Sequence, residues 1–354
     1  YIALTQRNDA ARGLLHFQNH GRDVSSPISL ARTHYWQGRA HDALGDTTAA
    51  QLAYTKGARH QTAFYGLLSA EKTGVPLDPA LTGAEQFPTD PDHLITQDSN
   101  YQAAQLLYDA GFARLSIRFL THLAETQNRQ TVGVMTALAE QAGRPNFELL
   151  LAKRAVKYGM VIHRSYFPLH PLAGQTGDVP TELALAIARR ESEFFADAIS
   201  GVGARGLMQL MPPTAQEMAG DLGMSYSQSR LTTDPAYNAT LGVAYLRELI
   251  ERFGYSPVHI AAAYNAGPSR PERWMGALGD PRQGDIDVID WIERIPFSET
   301  RNYVMRVTET LPAYRARLTG QTGPVAFTQL LNGTYVPPPP GLGPKVSLRP
   351  RVRP

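Results

Sequence analysis

Apolar positions recur at helical spacing from Tyr1 to about Tyr166, with short turns that contain glycine. Three of these turns hold Gly45, Gly111 and Gly143, and Gly111 and Gly143 lie 32 residues apart. A repeat of this length made of two helices and a turn is typical of an α-solenoid, in which stacked helix pairs bury a continuous core. The pattern therefore predicts a solenoid over residues 1–166.

The spacing is near the 34-residue period of tetratricopeptide-like helix pairs, and the stretch from Tyr35 to Ala58 fits one such pair. Trp36, Phe64 and Tyr65 are the predicted packing residues. Residues 75–100 contain four prolines and are the least helical part of this region, so we expect a long connection there.

The next strong helical pattern runs from Thr181 to Ser192 and ends in an acidic residue on its apolar face. Leu183, Ile187 and Glu191 follow at i, i+4 and i+8, so they share one face of the helix. A carboxylate on an apolar face is costly to bury without a partner, which favours its protonated form. A protonated carboxyl group near neutral pH suits general-acid chemistry, whereas a carboxylate that reaches solvent or pairs with Arg189 or Arg190 is the alternative.

A turn-rich segment precedes this helix, and another forms the end of the chain. Residues 167–180 read as a lead-in that ends at Pro180, which suits a first helical turn. After Gly320 the composition changes to glycine, proline and basic residues, and no Asp or Glu occurs from Leu311 to Pro354. Such a segment buries little apolar area, so the sequence predicts an extended or disordered basic tail over 320–354.

Composition limits the class of protein without selecting a function. A chain of 354 residues exceeds one typical domain, and no run of about 18 apolar residues predicts a membrane-spanning helix. The absence of cysteine excludes disulfides and cysteine-based metal sites. A net charge of only +2 gives no reason to expect nucleic acid as a partner. Because the chain begins at Tyr1, we expect that a signal sequence or more preceded it.

Four sequence blocks occur in a characteristic order. They follow the helix that ends at Glu191 and Ser192, and are the run Ser200-Gly-Val-Gly-Ala-Arg-Gly-Leu-Met-Gln-Leu-Met-Pro-Pro, an acid-capped helix that starts from Asp234-Pro235, the run Ala263-Tyr-Asn-Ala-Gly-Pro, and the run Ile295-Pro-Phe-Ser-Glu-Thr-Arg-Asn-Tyr-Val. Each block alone is weak evidence. Together they cover residues 167–319 and closely resemble the catalytic domain of soluble lytic transglycosylases, whose core is similar to goose-type lysozyme.

The resemblance implies cleavage of the β-1,4 bond between N-acetylmuramic acid and N-acetylglucosamine in peptidoglycan, with formation of a 1,6-anhydro sugar. Glu191 would act first as acid and then as base. Glycosidases that use water need two carboxyl groups, and no second acid in this region has an apolar setting like that of Glu191. The alternatives are a goose-type lysozyme-like hydrolase of the same bond and a cell-wall-binding scaffold without activity.

The resemblance also implies roles for other residues, each with a structural alternative. Tyr264 is a second catalytic residue, or a buried tyrosine beside a helix-ending asparagine. The substrate-binding candidates are Ser192, Ser200, Gly206, Gln209, Met211, Asn265 and Glu299. Their alternatives are hydrogen bonding to a helix backbone for Ser192, turn capping for Ser200, turn formation for Gly206, core packing for Met211, and a place in a first helical turn for Glu299. Gln209 and Met211 alternate with Leu210, which predicts a short extended segment.

The predicted fold class is mainly α, with an α-solenoid at 1–166, a lysozyme-like α+β catalytic domain at 167–319 that carries a small β element at Gly206–Leu210, and the tail at 320–354. We expect no metal and no organic cofactor. The expected partners are peptidoglycan glycan strands, a cell-wall or membrane surface for the tail, and cell-wall enzymes for the solenoid. The resemblance implies the periplasm of a Gram-negative bacterium. A solenoid of about 165 residues looks shorter than the helical ring of the resembled enzymes.

Overall fold

The computed structural model of the chain describes residues 1–90 and 93–334. The predicted tail beyond residue 334 lies outside these ranges. Within 320–334 the prediction of an extended or disordered segment is wrong, because Phe327–Leu331 is helical and Phe327 is buried with its ring 5.3 Å from that of Phe64. The regular structure they contain is helical, apart from isolated β-bridges that pair Ile199 with Arg205 and Arg205 with Leu210. The α-helices are α1 (Ile2–Thr5), α2 (Ala10–Arg22), α3 (Pro27–Ala43), α4 (Thr47–Gly57), α5 (Phe64–Thr73), α6 (Ser99–Asp109), α7 (Ala113–Ala124), α8 (Arg129–Gln141), α9 (Pro145–Val156), α10 (His163–Tyr166), α11 (Thr181–Ser192), α12 (Pro212–Asp221), α13 (Arg230–Thr233), α14 (Pro235–Phe253), α15 (Pro257–Ala266), α16 (Ser269–Leu278), α17 (Val288–Glu293), α18 (Ser298–Thr308), α19 (Leu311–Thr319) and α20 (Phe327–Leu331).

The chain forms two compact units that alternate along the sequence. Unit 1 comprises Tyr1–Pro79, Leu246–Ala313 and the described residues from Thr322 onward, and unit 2 comprises Ala80–Tyr245 and Tyr314–Gln321. Each unit therefore contains parts of the predicted solenoid and of the predicted catalytic segment. The domain boundaries at residues 166 and 319 stay predictions.

Unit 1 begins with successive helix pairs, as the glycine-bearing turns predict. Ser26 accepts a hydrogen bond from Ser29 N at the start of α3, and Pro27 occupies the first turn. The turn between α3 and α4 contains Gly45 at φ +78°, a conformation that glycine adopts without strain. A Cβ atom at Gly38 would lie 2.4 Å from the Tyr54 ring, so the small residue lets α3 and α4 pack closely.

The core of unit 1 is aromatic around α3 and α5. Trp36, Phe64 and Tyr65 are at most 2% exposed, which confirms them as packing residues. Tyr65 donates a short hydrogen bond to the carboxylate of Glu293, and Arg32 donates two more to it at 2.8 and 3.0 Å. A buried carboxylate with three charge-assisted or hydroxyl donors is well satisfied, so these contacts fix α17 against α3 and α5.

Unit 2 contains two further helix pairs, α6 with α7 and α8 with α9. Gly111 and Gly143 follow α6 and α8 at φ +87° and +65°, so the predicted turns are confirmed. Between α5 and α6 the described residues contain only two 3₁₀ turns, Pro79–Thr82 and Leu94–Gln97, which confirms the predicted long connection.

The lead-in to α11 also follows the prediction. It holds one 3₁₀ turn, Pro171–Gly174, and α11 then runs over the predicted residues, Thr181–Ser192. Pro180 precedes the first helical residue. At the start of α11 the Glu182 carboxylate pairs with Arg315 at 2.9 Å, where the macrodipole also favours an acid.

Candidate active site

Helix α11 buries the predicted apolar stripe and brings Glu191 to its end. Leu183 and Ile187 are 4% and 0% exposed, whereas Glu191 is only partly buried. Arg189 turns away from the stripe and donates to Tyr166 O at 3.1 and 3.2 Å. Glu191 is therefore held at the last turn of a packed helix, where the residue stays partly exposed.

The backbone reverses directly after this helix through two strained residues. Glu193 and Phe194 have φ +53° and +65°, which is unfavourable for residues with a side chain by about 1 kcal/mol or more each. Neighbouring contacts hold them: Lys153 forms a close ion pair with Glu193, and the His170 ring stacks on Phe194 with 5.2 Å between centroids. The structure thus fixes the direction in which the chain leaves Glu191.

His170 supports this turn as a neutral ring. Burial lowers the pKa of His170 to about 4, and its Nδ1 accepts a hydrogen bond from Leu172 N at 3.0 Å. An uncharged imidazole can lie flat on Phe194 without the desolvation of a buried cation. The sequence analysis did not single out His170.

The residues from Ser192 to Met211, here called the 192–211 loop, are tied to α11 and to α14. Ser192 is 7% exposed and donates to Leu207 O at 2.6 Å and to Ala188 O at 3.3 Å. Its hydroxyl therefore joins the loop to the helix that carries Glu191. The backbone hydrogen-bonding alternative for Ser192 describes its observed contacts.

Asn238 on α14 organises the middle of the same loop. It is fully buried, accepts from Met208 N at 2.8 Å, and donates to Arg205 O at 3.0 Å and Leu231 O at 3.1 Å. Sequence reasoning missed this residue. The available signal was an amide in the first turns of a largely apolar helix, where a buried Asn must find several partners.

Gly206 is required by packing inside the protein. It has φ +78°, and a Cβ atom there would lie 1.9 Å from Leu231 O and 2.3 Å from Asn238 Nδ2. The turn-forming alternative for Gly206 describes these observed contacts, and its substrate-binding role stays a prediction. The close approach is made by the protein's own backbone and by Asn238.

The predicted extended segment at Gln209 is wrong. Residues 206–209 form a tight turn that closes the Arg205–Leu210 bridge, and Gln209 has φ +49°. Its Nε2 donates to Gly206 O at 2.8 Å and to Ala198 O at 3.0 Å. These local bonds outweigh the alternation of side chains that suggested a strand. The amide oxygen of Gln209 is left for other partners.

Ser200 and Met211 differ in whether their side chains contact the protein or stay exposed. Ser200 Oγ accepts from Ala204 N at 3.0 Å, so it caps the turn that contains Gly201 and Gly203. Its hydroxyl proton can still be donated. Met211 is 41% exposed, which argues against the core-packing alternative and leaves its side chain available at the surface.

Unit 1 contains the other three candidates, on α15 and α18. Tyr264 is partly buried near the end of α15, and Asn265 Oδ1 accepts from Thr300 Oγ1 at 2.7 Å. The helix ends at Ala266 and is followed by the capping residue Gly267, whose φ of +84° suits glycine. Glu299 is exposed in the first turn of α18, as expected. The bond from Thr300 fixes the orientation of the Asn265 amide.

No three His, Asp or Glu side chains come together as a metal-binding group within residues 1–90 and 93–334. In the same part of the chain, no helix combines the length and the apolar composition that crossing a bilayer requires.

Comparison with known proteins identifies the class of domain that carries Glu191. Residues 171–284 match the transglycosylase SLT domain. This range includes α11, the 192–211 loop and α15. It therefore contains the candidate residues Glu191, Ser192 and Tyr264.

Relatives and solved structures give a consistent answer. The chain is 40% identical to the soluble lytic murein transglycosylase of Escherichia coli over 39% of its own length and 21% of the relative's. It is 28% identical to a putative soluble lytic murein transglycosylase of Haemophilus influenzae over 83% of its length and 48% of the relative's. The solved 70 kDa soluble lytic transglycosylase of E. coli matches with a TM-score of 0.66 at 26% identity, over 80% of this chain and 46% of that one.

The resemblance to soluble lytic transglycosylases is confirmed, and with it the mainly α fold class of a helical solenoid and a lysozyme-like domain. An inactive glutamate-to-glutamine variant of the lytic transglycosylase Slt from Pseudomonas aeruginosa matches with a TM-score of 0.63 at 29% identity, over 80% of this chain and 46% of that one. The chain spans less than half the length of each of these relatives.

Proposed function

We propose that the protein is a peptidoglycan lytic transglycosylase, which cleaves the β-1,4 bond between N-acetylmuramic acid and N-acetylglucosamine and leaves a 1,6-anhydromuramic end. The observation that carries this proposal is the position of Glu191. It is a partly buried carboxyl group at the end of a buried helix face, inside a matched transglycosylase SLT domain. The inactive glutamate-to-glutamine variant of the Pseudomonas relative agrees with a mechanism that depends on a carboxyl group.

The proposed reaction has two proton transfers through Glu191. The protonated carboxyl group first gives its proton to the leaving glycosidic oxygen as the bond to C1 breaks. The resulting carboxylate then accepts the proton of the muramic C6 hydroxyl as that oxygen attacks C1. The N-acetyl oxygen of the substrate stabilises the positive charge at C1 between the two steps. One carboxyl group is sufficient because the nucleophile belongs to the substrate.

The 192–211 loop has a positioning part in this proposal. Gln209 Oε1 can accept from a sugar hydroxyl or amide, Ser200 can donate its hydroxyl proton, and exposed Met211 offers an apolar contact. Ser192 and Gly206 act through the loop, because their own contacts are internal. Tyr264, Asn265 and Glu299 keep the catalytic and binding roles that the resemblance implies. We also propose the Gram-negative periplasm as the location, since peptidoglycan is there.

The test combines a substitution with product identification. Glu191→Gln preserves shape but cannot cycle a proton, so we expect a rate loss of about 10²–10⁴-fold with the melting temperature retained. Glu217→Gln, which makes the same change at an exposed carboxylate on α12, is the matched control. Products from isolated glycan strands are identified by mass spectrometry. Reducing ends in place of anhydro ends would establish the hydrolase alternative, and a loss below about tenfold would exclude Glu191 as the acid and base.

A further inference from the structure

A polar cavity of about 190 Å³ lies within unit 2 and includes none of the candidate active-site residues. Helix α8 contributes four lining residues, and α10 contributes Arg164 and Ser165. The remaining wall comes from residues 82–89, here called the strap. The lining residues are Gln86, Phe87, Thr89, Thr136, Ala137, Glu140, Gln141, Arg164 and Ser165.

Three arginines hold the strap in place over α8 and α10. Their hydrogen bonds run from Arg317 Nη1 to Thr82 O at 3.3 Å, from Arg164 Nη1 to Gly83 O at 3.2 Å, and from Arg129 Nη1 to Glu85 Oε1 at 2.7 Å. The Phe87 ring lies over Gly133, where a Cβ atom would come within 2.2 Å of it. The cavity is thus bounded by specific contacts.

Several polar side chains that line the cavity have unused hydrogen-bonding groups. Gln86, Thr89, Gln141 and Ser165 make no side-chain hydrogen bond to any residue in the described ranges. Ser165 is only 2% exposed, whereas Gln86, Thr89 and Gln141 are exposed to solvent. The hydrogen-bonding groups of these four side chains are therefore available to water or to a ligand in the cavity.

The charges of the lining are matched. Arg164 donates to both oxygens of Glu140, at 2.6 and 2.7 Å, and no other lining residue is charged. A charged ligand would have to compete with this bidentate pair, which is among the stronger side-chain interactions. The lining thus favours a ligand without net charge.

We infer that this cavity binds one ring of an uncharged sugar. Sugar hydroxyl groups both donate and accept, as do the amides of Gln86 and Gln141 and the hydroxyls of Thr89 and Ser165. The partly buried Phe87 supplies the apolar part of the lining. The volume equals about six water molecules, well below the roughly 300–1,000 Å³ of pockets for larger ligands. That this sugar belongs to a peptidoglycan strand rests on the proposed function.

The Ala137 methyl group, which lines the cavity, gives a site-specific measurement. The full chain, labelled with ¹³C at alanine methyl groups, is titrated with N-acetylglucosamine and observed by NMR. The Ala137 signal is assigned by its absence in Ala137→Leu. We expect a saturable shift of this signal, with glucuronate at least tenfold weaker because of its charge. No saturable Ala137 shift with N-acetylglucosamine would mean that the cavity holds only water, and would overturn the inference.

Two lining substitutions and one control test which groups bind. Gln141→Ala and Ser165→Ala should each weaken the titration about three- to tenfold, as expected for one lost hydrogen bond. Gln130→Ala, an exposed residue on the same helix, should leave it unchanged. Equal affinity in all three variants would contradict the assignment. Peptidoglycan cleavage is measured on the same samples. An Ala137 response without cleavage would overturn only the proposed function, whereas cleavage without an Ala137 response would overturn only this inference.

Discussion

The 192–211 loop and the cavity under the strap use the same residue types in opposite ways. In the loop, Ser192 and the Gln209 amide nitrogen donate to backbone carbonyls of the protein itself. At the cavity, Ser165 and Gln141 make no side-chain hydrogen bond to the described residues. A serine or glutamine in the sequence shows only a capacity to hydrogen-bond. The fold determines whether that capacity builds the protein or remains available to solvent and ligands.

The largest expected difference concerns two glycines. Gly206→Ala should destabilise unit 2 by about 3 kcal/mol, because the new Cβ would lie 1.9 Å from the backbone oxygen of Leu231 and the residue has φ +78°. Gly133→Ala should be unfavourable by about 1 kcal/mol, since its Cβ meets the Phe87 side chain, which can shift with the strap. Hydrogen exchange of unit 2 measures both. Equal losses would show that the strap is as rigid as the loop.

The second difference is the way in which stability depends on pH, which should have opposite signs in the two regions. Because the pKa of His170 falls from about 6.5 to about 4 on burial, the unfolded chain binds more protons between these values. Stability should thus fall by up to about 3 kcal/mol as pH falls from 6.5 to 4, and His170→Asn should remove this loss. The melting temperatures of the wild-type protein and of the His170→Asn variant are compared over this pH range.

Near the cavity, Glu148 should behave in the reverse way. Burial raises the pKa of Glu148 well above its usual range, and the nearby Glu140 adds to the effect. The folded chain then retains a proton that the unfolded chain loses, so this contribution to stability is present at low pH and is lost as pH rises through the folded pKa. Glu148→Gln should raise the melting temperature most at pH 8. A larger gain at pH 4 would contradict this sign.

The smallest effect separates two buried serines. Ser192→Ala leaves Leu207 O without its 2.6 Å hydrogen bond and should destabilise unit 2 by about 1–2 kcal/mol. Ser165→Ala removes a hydroxyl that bonds to no described residue, and the change should stay within about 0.5 kcal/mol. Denaturant unfolding of the two variants provides the measurement. A loss in Ser165→Ala as large as that in Ser192→Ala would show that the cavity serine also supports the fold.

Helices were predictable where local signals agree. Gly111 and Gly143 mark turns, and the α11 pattern gives Thr181–Ser192 because the apolar periodicity and the preceding Pro180 indicate the same start. The division into two alternating units was not predictable. It depends on contacts such as Arg32 with Glu293, which lie 261 residues apart and leave no trace in local periodicity.

The candidate site was predictable as a set of blocks and less well as a geometry. Glu191 stands out because a carboxyl group interrupts an apolar face. The turn at Gln209 was mistaken for an extended segment. Its left-handed backbone and the bonds from its side chain to backbone carbonyls depend on the tertiary fold and are not visible in the local pattern. Asn238 was missed for a related reason: its three bonds all reach backbone outside its own helix.

The alternation of the two units along the chain has a consequence for synthesis on the ribosome. The helices of Tyr1–Pro79 emerge well before their partners: Phe64 N bonds to Glu309 across 245 residues, and Thr328 bonds to Glu71 across 257. Helix pairs α6–α7 and α8–α9 close over short separations and can form as soon as they emerge. The Tyr1–Pro79 segment therefore waits longer for its partners than α6–α9 do, with its aromatic residues exposed to chaperones and proteases until Leu246–Ala313 is complete.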